Sequence, residues 1–188
     1  MVETLRVNNL KKTYGGLEAV RGISFGVEEG SIFGLIGPNG AGKTTTFNII
    51  AGAEKPTEGT VILNGEDITG LSTDNLYKIG LVRTFQLSHE YAKMTTLENL
   101  MVAASDQPGE KIFMNWFSPK SVADREKEVL GRALESLDFL GLTQVKNELA
   151  GNLSGGQKKL LELGRTMMTD AKLVLLDEPG AGVNPTLM

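Results

Sequence analysis

A short glycine-rich run has the residue types and spacing of a phosphate-binding loop. Its glycines would let successive backbone N–H groups point at one anion, and the helix after it would add the positive end of its dipole. The lysine would reach the terminal phosphates of a nucleotide, and the threonine hydroxyl would bind Mg²⁺. The run reads G-x-x-x-x-G-K-T and consists of Gly37, Pro38, Asn39, Gly40, Ala41, Gly42, Lys43 and Thr44, with Thr45 next in the predicted helix.

The residues on either side of this loop favour the same interpretation. An apolar run at residues 32–36 predicts a strand before the loop, and residues 45–51 predict a helix after it. A strand, a loop and a helix in this order are the context that a P-loop requires. The alternative is a glycine-rich turn that carries a lysine by chance.

Two adjacent carboxylates near the end of the chain extend this chemistry. The apolar residues 173–176 are typical of a buried parallel strand, and Asp177 and Glu178 follow directly. Open α/β sheets bind ligands at the carboxyl ends of their strands. Asp177 could therefore hold Mg²⁺, directly or through water, and Glu178 could act as general base on the attacking water. The alternative is a strand that happens to end in acidic turn residues.

A second pair of glycines indicates a further phosphate contact. Ser154 and Gln157 form the S-x-x-Q pattern of a capping box at the start of a predicted helix that runs to about residue 168. A capping box does not need Gly155 and Gly156, which are poor helix formers. Two bare backbones at a helix N-terminus suit the close approach of an anion. A helix cap without further function is the alternative.

The elements that must position these residues follow from the apolar pattern. Residues 5–14 and 18–27 predict two antiparallel strands joined at a glycine pair. Tyr14 ends the first strand, where it could stack on a nucleotide base or be an ordinary strand tyrosine. We further expect strands at 60–63 and 81–85, a turn at 64–65 and a helix at 72–79.

The middle of the chain reads as mostly helical. A capping box at residues 95–98 begins a helix to about Ala104, and residues 121–140 predict a second helix. Four leucines recur on one face of this second helix: Leu130, Leu134, Leu137 and Leu140. An aromatic patch at 112–117 either fills a local core or docks on a partner.

These predictions combine into an α/β fold with a helical insert. Residues 1–86 and 154–188 would form the nucleotide-binding core, which begins with an antiparallel β arm. Residues 87–153 would form a helical subdomain that leads to Ser154.

Composition excludes several other classes of protein. The 188 residues are 40% hydrophobic and 22% charged, an ordinary globular mixture. The net charge of −4 argues against a general nucleic-acid binder, and the absence of cysteine excludes disulfides and thiolate metal sites. No signal-like or membrane-spanning apolar run is present, so we expect a soluble protein whose membrane role, if any, comes through a partner.

The motifs together resemble the ATP-binding cassette (ABC) ATPases, which have a RecA-like P-loop NTPase core. Residues 37–44 match Walker A, and residues 173–178 match Walker B with its catalytic glutamate. Leu153 to Gln157 read LSGGQ, the family's signature, without departure. The resemblance makes Gln86 the Q-loop residue near Mg²⁺ and water, and Tyr14 the aromatic that stacks on adenine. Residues 180–185 match the position of the D-loop.

Within this family the chain is most similar to ATP-binding subunits of branched-chain amino-acid importers. The similarity rests on residues 83–86, 96–103 and 177–185 and on the long insertion 105–121. Cassettes for urea or for lipopolysaccharide export share part of the pattern and remain alternatives.

One departure concerns the end of the chain. Family members continue to a further strand and a switch histidine, whereas this sequence stops at Met188 and has its only histidine at His89. We therefore expect a C-terminally truncated cassette, and a nucleotide-binding fragment without turnover is an alternative to an active ATPase.

The resemblance also implies partners and a location. A second ATP-binding subunit would complete the site, with Ser154 and the amides after it facing nucleotide held by Lys43 of the opposite copy. Transmembrane permease subunits would place the protein in the cytoplasm, peripherally on the inner face of the cell membrane. A cassette acting on nucleic acid is disfavoured, since this chain has one P-loop, no cysteine and an acidic balance.

Overall fold

The computed structural model describes residues 2–84, 90–105 and 119–177 and divides the chain into two compact units. The first unit comprises the residues up to Arg83 together with Lys172–Asp177. The second unit contains Thr84–Ala171.

The first unit contains an antiparallel sheet, a short parallel sheet and two helices. The elements are β1 (Glu3–Tyr14), β2 (Leu17–Glu28), α1 (Lys43–Ile50), β3 (Glu58–Leu63), β4 (Glu66–Asp67), α2 (Thr73–Lys78), β5 (Leu81–Arg83) and β6 (Leu173–Leu175). The antiparallel sheet has the strand order β2-β1-β3-β4, and β5 pairs with β6 in parallel. The predicted β arm and the strands at 60–63 and 81–85 are therefore present, the last ending at Arg83 among the described residues.

Turn chemistry explains why these strands form hairpins. Asn64 and Gly65 both have positive φ, 49° and 83°, which matches the twist that a two-residue hairpin needs. Apolar residues alternate along β1 and β3 and meet the buried side of α1 in one core. The core residues include Leu5, Val7, Leu10, Ile49, Ile50, Val61, Leu63, Leu76, Leu81 and Leu175.

The second unit is helical and has its own core. Within the described residues its helices are α3 (Thr96–Met101), α4 (Pro119–Phe139) and α5 (Gly155–Met167), with short 3-10 turns at Thr143–Val145 and Ala150–Asn152. The predicted capping box at the start of α3 is formed between Thr95 and Glu98. The fully buried Asn99 ties the segment before α3 in place, since its amide donates to the carbonyl oxygens of Tyr91 and Thr95 at 3.1 and 2.9 Å.

The predicted strand at residues 32–36 is wrong. These residues form no strand, and the side chains of Ile32 and Ile36 are exposed. An extended segment becomes a strand only where a neighbour pairs its backbone. Within the described residues no strand pairs with this segment, although the ring of Phe33 stacks on that of Phe25, with centroids 5.0 Å apart.

The leucine face predicted for α4 is buried only in part. Leu137 is fully buried, but Leu130 and Leu134 are exposed. The buried apolar positions are instead Val129, Ala133 and Leu137, and Ser136 is buried as well. Leu130 and Leu134 each follow one of these positions by a single residue, so they lie about 100° further round the helix.

The division into units differs from the predicted boundary at Ser154. Residues 154–171 belong with the helical unit, because Leu161 and Met168 share a core with Leu100 and Leu137. Packing on α3 and α4 decides this grouping, and the local sequence of α5 does not reveal it.

Several predicted features lie outside the described residues. They are Phe85, Gln86 and His89, the aromatic patch at 112–117, Glu178 and the D-loop at 180–185.

Candidate functional site

The predicted phosphate-binding loop leads directly into α1. Gly42 is the N-cap of this helix, which has no side-chain cap hydrogen bond and no acidic residue in its first turn. The first N–H groups of a helix have no partner within the helix, and together with the helix dipole they favour an anion. The start of α1 is therefore available to a phosphate group rather than closed by its own side chains.

Two features of the structure require glycine at position 42. Its φ is +84°, a left-handed conformation that side chains rarely adopt. A Cβ atom at this position would lie 2.4 Å from the carbonyl oxygen of Ala19, which is a backbone atom of β2. The loop therefore packs closely against the β arm, and no larger residue fits.

The side chain of Lys43 lies across its own loop. Its Nζ donates to the carbonyl oxygens of Gly37 and Pro38, at 2.7 and 2.9 Å. These two carbonyls hold the ammonium group at the loop, and a phosphate would offer it charged oxygens in addition.

The threonines that follow have different roles. Thr44 is exposed and follows Lys43 at the helix start. Thr46 is buried, and its hydroxyl donates to the carbonyl oxygen of Gly42 at 2.9 Å. Thr46 therefore serves the helix itself, and the hydroxyl of Thr44 is the better placed of the two to bind a ligand.

Tyr14 is a half-exposed aromatic residue whose hydroxyl is fixed. It is 45% exposed, and Lys12 Nζ lies 4.9 Å from its ring centroid. The hydroxyl donates to Glu54 Oε2, and this hydrogen bond is the main cause that raises the pKa of Tyr14. The cation over one side of the ring leaves the rest of the aromatic surface for stacking.

Asp177 lies just beyond β6 and forms an ion pair. The guanidinium NH2 of Arg83 lies 2.9 Å from its Oδ2, and the two side chains are 17% and 12% exposed. Since β5 and β6 are parallel, Arg83 lies opposite Leu175 and reaches the residue two positions later. The geometry places the predicted metal carboxylate at the carboxyl end of the parallel pair, where ligands bind in such sheets.

A line of hydrogen bonds joins these parts of the first unit. Arg83 NH1 donates to Asn48 Oδ1 at 2.7 Å, and Asn48 Nδ2 donates to Glu54 Oε1 at 2.8 Å. Glu54 also accepts from Tyr14, so its pKa lies below the usual range, chiefly through Tyr14 and then through Asn48. The line connects Tyr14, helix α1 and Asp177.

The residues within this line were missed at the sequence level. Asn48 and Glu54 belong to no motif, and Arg83 entered only as part of the phrase before Gln86. The available signal was a lone arginine at the end of one strand and an aspartate at the end of another. That signal becomes specific only when the two strands are known to be parallel neighbours.

The donor groups fit a magnesium ion bound with phosphate. Thr44 offers a hydroxyl and Asp177 a carboxylate, which are the oxygen donors that Mg²⁺ prefers. Within residues 2–84, 90–105 and 119–177, no three His, Cys, Asp or Glu side chains converge to hold a metal by themselves. An ion here would therefore need phosphate and water oxygens to complete its coordination, as Mg²⁺ in phosphate sites commonly does.

The LSGGQ stretch begins α5 in the helical unit. Ser154 and Gln157 form the predicted capping box, with Ser154 N–H donating to Gln157 Oε1 at 2.9 Å and Gln157 N–H donating to Ser154 Oγ at 3.4 Å. A Cβ atom at Gly155 or Gly156 would meet nothing within 4 Å. Packing within the described chain therefore does not require these glycines, and the space beside them is open.

Two predicted catalytic residues, Gln86 and Glu178, lie outside the described residues, as do the D-loop positions. Their roles stay predictions. Glu178 directly follows Asp177 in the chain, and Gln86 follows Arg83 by three residues.

Comparison with protein families and curated proteins gives matches over most of the chain. The model of the ABC transporter family matches residues 20–181. A probable branched-chain amino acid transport ATP-binding protein, LivG, of Archaeoglobus fulgidus is 45% identical over 190 residues, covering 99% of this chain and 71% of the relative.

Solved structures show the same fold. The ADP conformation of an ATP-binding cassette of an ABC transporter matches with a TM-score of 0.78 and 40% identity, over 100% of this chain and 73% of that one. A dimeric cassette in a post-hydrolysis state, bound to ADP and Pi, matches with a TM-score of 0.73 and 27% identity, over 97% and 77% of the two chains.

Proposed function

This chain belongs to the ABC transporter family of ATP-binding cassettes, and we propose that it hydrolyses ATP to energise import of branched-chain amino acids. The observation that carries nucleotide binding is the start of α1, which has no side-chain cap and lies beside the ammonium group of Lys43. The solute is proposed from the relatives described as branched-chain amino acid transport ATP-binding proteins.

Each of the site residues in the first unit has a proposed role in binding nucleotide. The N–H groups of the loop and of the first turn of α1, residues 37–45, and the ammonium of Lys43 would hold the β- and γ-phosphates. Tyr14 would stack on the adenine through the ring surface that its hydrogen bond to Glu54 fixes. Thr44 and Asp177 would bind Mg²⁺, with Gln86 completing this set.

Hydrolysis then depends on charge stabilisation and on a positioned base. When bound, Mg²⁺ supplies positive charge that offsets the negative charge developing on the transferred phosphoryl group. Lys43 stabilises the same charge from the loop side. Glu178 accepts a proton from the attacking water and orients it in line with the leaving group.

We propose that Ser154, Gly155, Gly156 and Gln157 act across a dimer. Their helix start is exposed to approach by an anion from another molecule, since no atom of the described chain needs the space beside the glycines. A second ATP-binding subunit would supply that anion as bound nucleotide. One of the solved cassettes of the same fold is dimeric with ADP and Pi.

Permease subunits are the proposed membrane partners. No helix among the described residues is long and apolar enough to cross a bilayer. We propose that the subunit works at the inner face of the cell membrane, docked on transmembrane partners that choose the solute.

The test is steady-state phosphate release from ATP and Mg²⁺ by the 188-residue chain and its Glu178→Gln variant. Removing a general base is expected to slow turnover by about a hundredfold or more. Glu29→Gln, at an exposed glutamate that belongs to none of the motifs, is the matched control and should keep normal turnover. Equal turnover in wild type and Glu178→Gln would contradict the proposed base. Binding without turnover in the wild type would favour a nucleotide-binding module.

A further inference from the structure

Arg83 donates hydrogen bonds to two acceptors in different parts of the first unit. One guanidinium nitrogen, NH1, donates to Asn48 Oδ1 at 2.7 Å, and the other, NH2, donates to Asp177 Oδ2 at 2.9 Å. The guanidinium group is planar, so its two donors keep a fixed angle to each other. The position of Asn48 therefore constrains where Arg83 can hold Oδ2 of Asp177.

The arginine engages only one oxygen of Asp177. Among the residues that the structure describes, no hydrogen bond is made to Oδ1 of this carboxylate. A bidentate pair would have occupied both oxygens. The single contact instead fixes the carboxylate and leaves Oδ1 able to accept from a metal-bound water.

Asn48 is itself held in one orientation. It lies on α1, the helix that begins at Lys43, and its Nδ2 donates to Glu54 Oε1 at 2.8 Å. This hydrogen bond determines which end of the amide faces Arg83, because the carbonyl end must accept from the guanidinium. Arg83 therefore ties Asp177 to the same helix that starts at the phosphate loop.

The ion pair is not arranged for stability alone. Arg83 Nε is buried without a hydrogen-bond partner in the described part of the chain. A buried donor left unpaired costs free energy, and buried ion pairs by themselves are weak evidence of a stabilising role. An arrangement that keeps this cost while fixing one carboxylate oxygen fits a positioning role.

We propose that Arg83 is a positioning residue for Mg²⁺-dependent nucleotide binding, which holds Asp177 at a set distance from the phosphate loop through Asn48. This proposal rests on the proposed function, because it assumes that Asp177 serves the metal ion. A substitution at Arg83 should reduce what Mg²⁺ adds to nucleotide affinity, and it should leave nucleotide affinity in the absence of Mg²⁺ nearly unchanged.

The experiment is calorimetric titration of ADP, first in EDTA and then at saturating Mg²⁺, so that no turnover is involved. The ratio of the two affinities is the Mg²⁺ gain. Arg83→Gln should lower this gain roughly tenfold, as loss of a residue that orients a metal ligand commonly does. Arg83→Lys keeps the positive charge but loses the two paired donors of the guanidinium group. It should lower the Mg²⁺ gain less than Arg83→Gln does. Arg21→Gln is the matched control, since Arg21 is in the same unit with an 80% exposed side chain.

Each outcome has a definite meaning. An unchanged or larger Mg²⁺ gain in Arg83→Gln would overturn the positioning role, a larger gain making Arg83 a competitor of the ion. If Arg83→Gln does not fold, Asn48→Ala carries the test, because it keeps the ion pair and removes its anchor; an unchanged gain there overturns the proposal. Failure of wild type to bind ADP under either condition would instead overturn the proposed function.

Discussion

Glu54 is the residue that fixes the aromatic ring at the end of β1. It accepts from the Tyr14 hydroxyl and from Asn48 Nδ2, and Lys12 Nζ lies 3.6 Å from its Oε2. All three contacts favour the ionised carboxylate, so the pKa of Glu54 lies below its ordinary value. The folded protein therefore binds a proton at Glu54 less readily than the unfolded chain does.

This difference predicts how stability depends on pH. The contribution of Glu54 is fully present above its unfolded pKa of about 4.3 and is lost as the pH falls through the lower folded pKa. At neutral pH, Glu54→Gln should lower the free energy of unfolding by about 1 to 2 kcal/mol, and this difference should shrink on acidification below about pH 4. Urea unfolding of wild type and Glu54→Gln, at neutral pH and below about pH 4, measures this difference in the free energy of unfolding.

Glu66→Gln is the control for this experiment, because Glu66 is an exposed glutamate on β4 of the same unit. It should change stability little at either pH. A Glu54→Gln effect that stays constant or grows with acid would show that the carboxylate is not held in its ionised form by Tyr14.

At the scale of elements, α4 shows how packing determines which face of a helix is buried. Leu137 is 0% exposed, and Leu134, three residues earlier on the same helix, is 38% exposed. The buried stripe runs through Val129, Ala133 and Leu137, where the helix packs on α3 and α5. Ala133, at the centre of this stripe, is 0% exposed.

The two leucines give a matched pair of substitutions. Leu137→Ala should lower the free energy of unfolding by about 2 to 5 kcal/mol, because it removes buried methyl groups and leaves a cavity. Leu134→Ala should cost less than about 1 kcal/mol, since much of its side chain already contacts water. Chemical denaturation followed by circular dichroism measures both, and equal effects would contradict the assigned face.

Local features of the fold could be predicted from the sequence. Features that depend on a few neighbouring residues were predicted correctly: the β1–β2 turn, the Asn64–Gly65 hairpin, and the capping boxes at Thr95 and Ser154. The residues concerned supply the required hydrogen bonds or φ angles themselves. Local chemistry is therefore sufficient to predict these features.

Features that depend on distant partners were not predictable in the same way. The apolar run at 32–36 has the composition of a strand, but pairing decides whether a strand forms. The face of α4 depends on where α3 and α5 lie. For the site, the motifs identified Lys43 and Asp177, but Arg83 and Asn48 became visible only once β5, β6 and α1 were adjacent.

At the scale of the whole molecule, the proposed nucleotide-contacting groups are divided between two units. Tyr14, the loop at 37–45 and Asp177 belong to the first unit, and Ser154 to Gln157 belong to the second. The proposed dimer gives this division a purpose, because each nucleotide would be held by the loop of one copy and covered by the LSGGQ helix start of the other. A two-fold interface of this kind is self-complementary and repeats each contact twice.

The proposed function depends on nucleotide binding through the loop of Lys43. The most direct measurement is calorimetric titration of ATP and Mg²⁺ into the wild-type chain, Lys43→Ala and Lys55→Ala. Lys55 is an exposed lysine in the same unit and serves as the matched control. We predict that Lys43→Ala abolishes measurable binding, since the ammonium group held at the loop is lost, and that Lys55→Ala binds like wild type. Wild-type affinity in Lys43→Ala would contradict the assignment of this loop as the phosphate site.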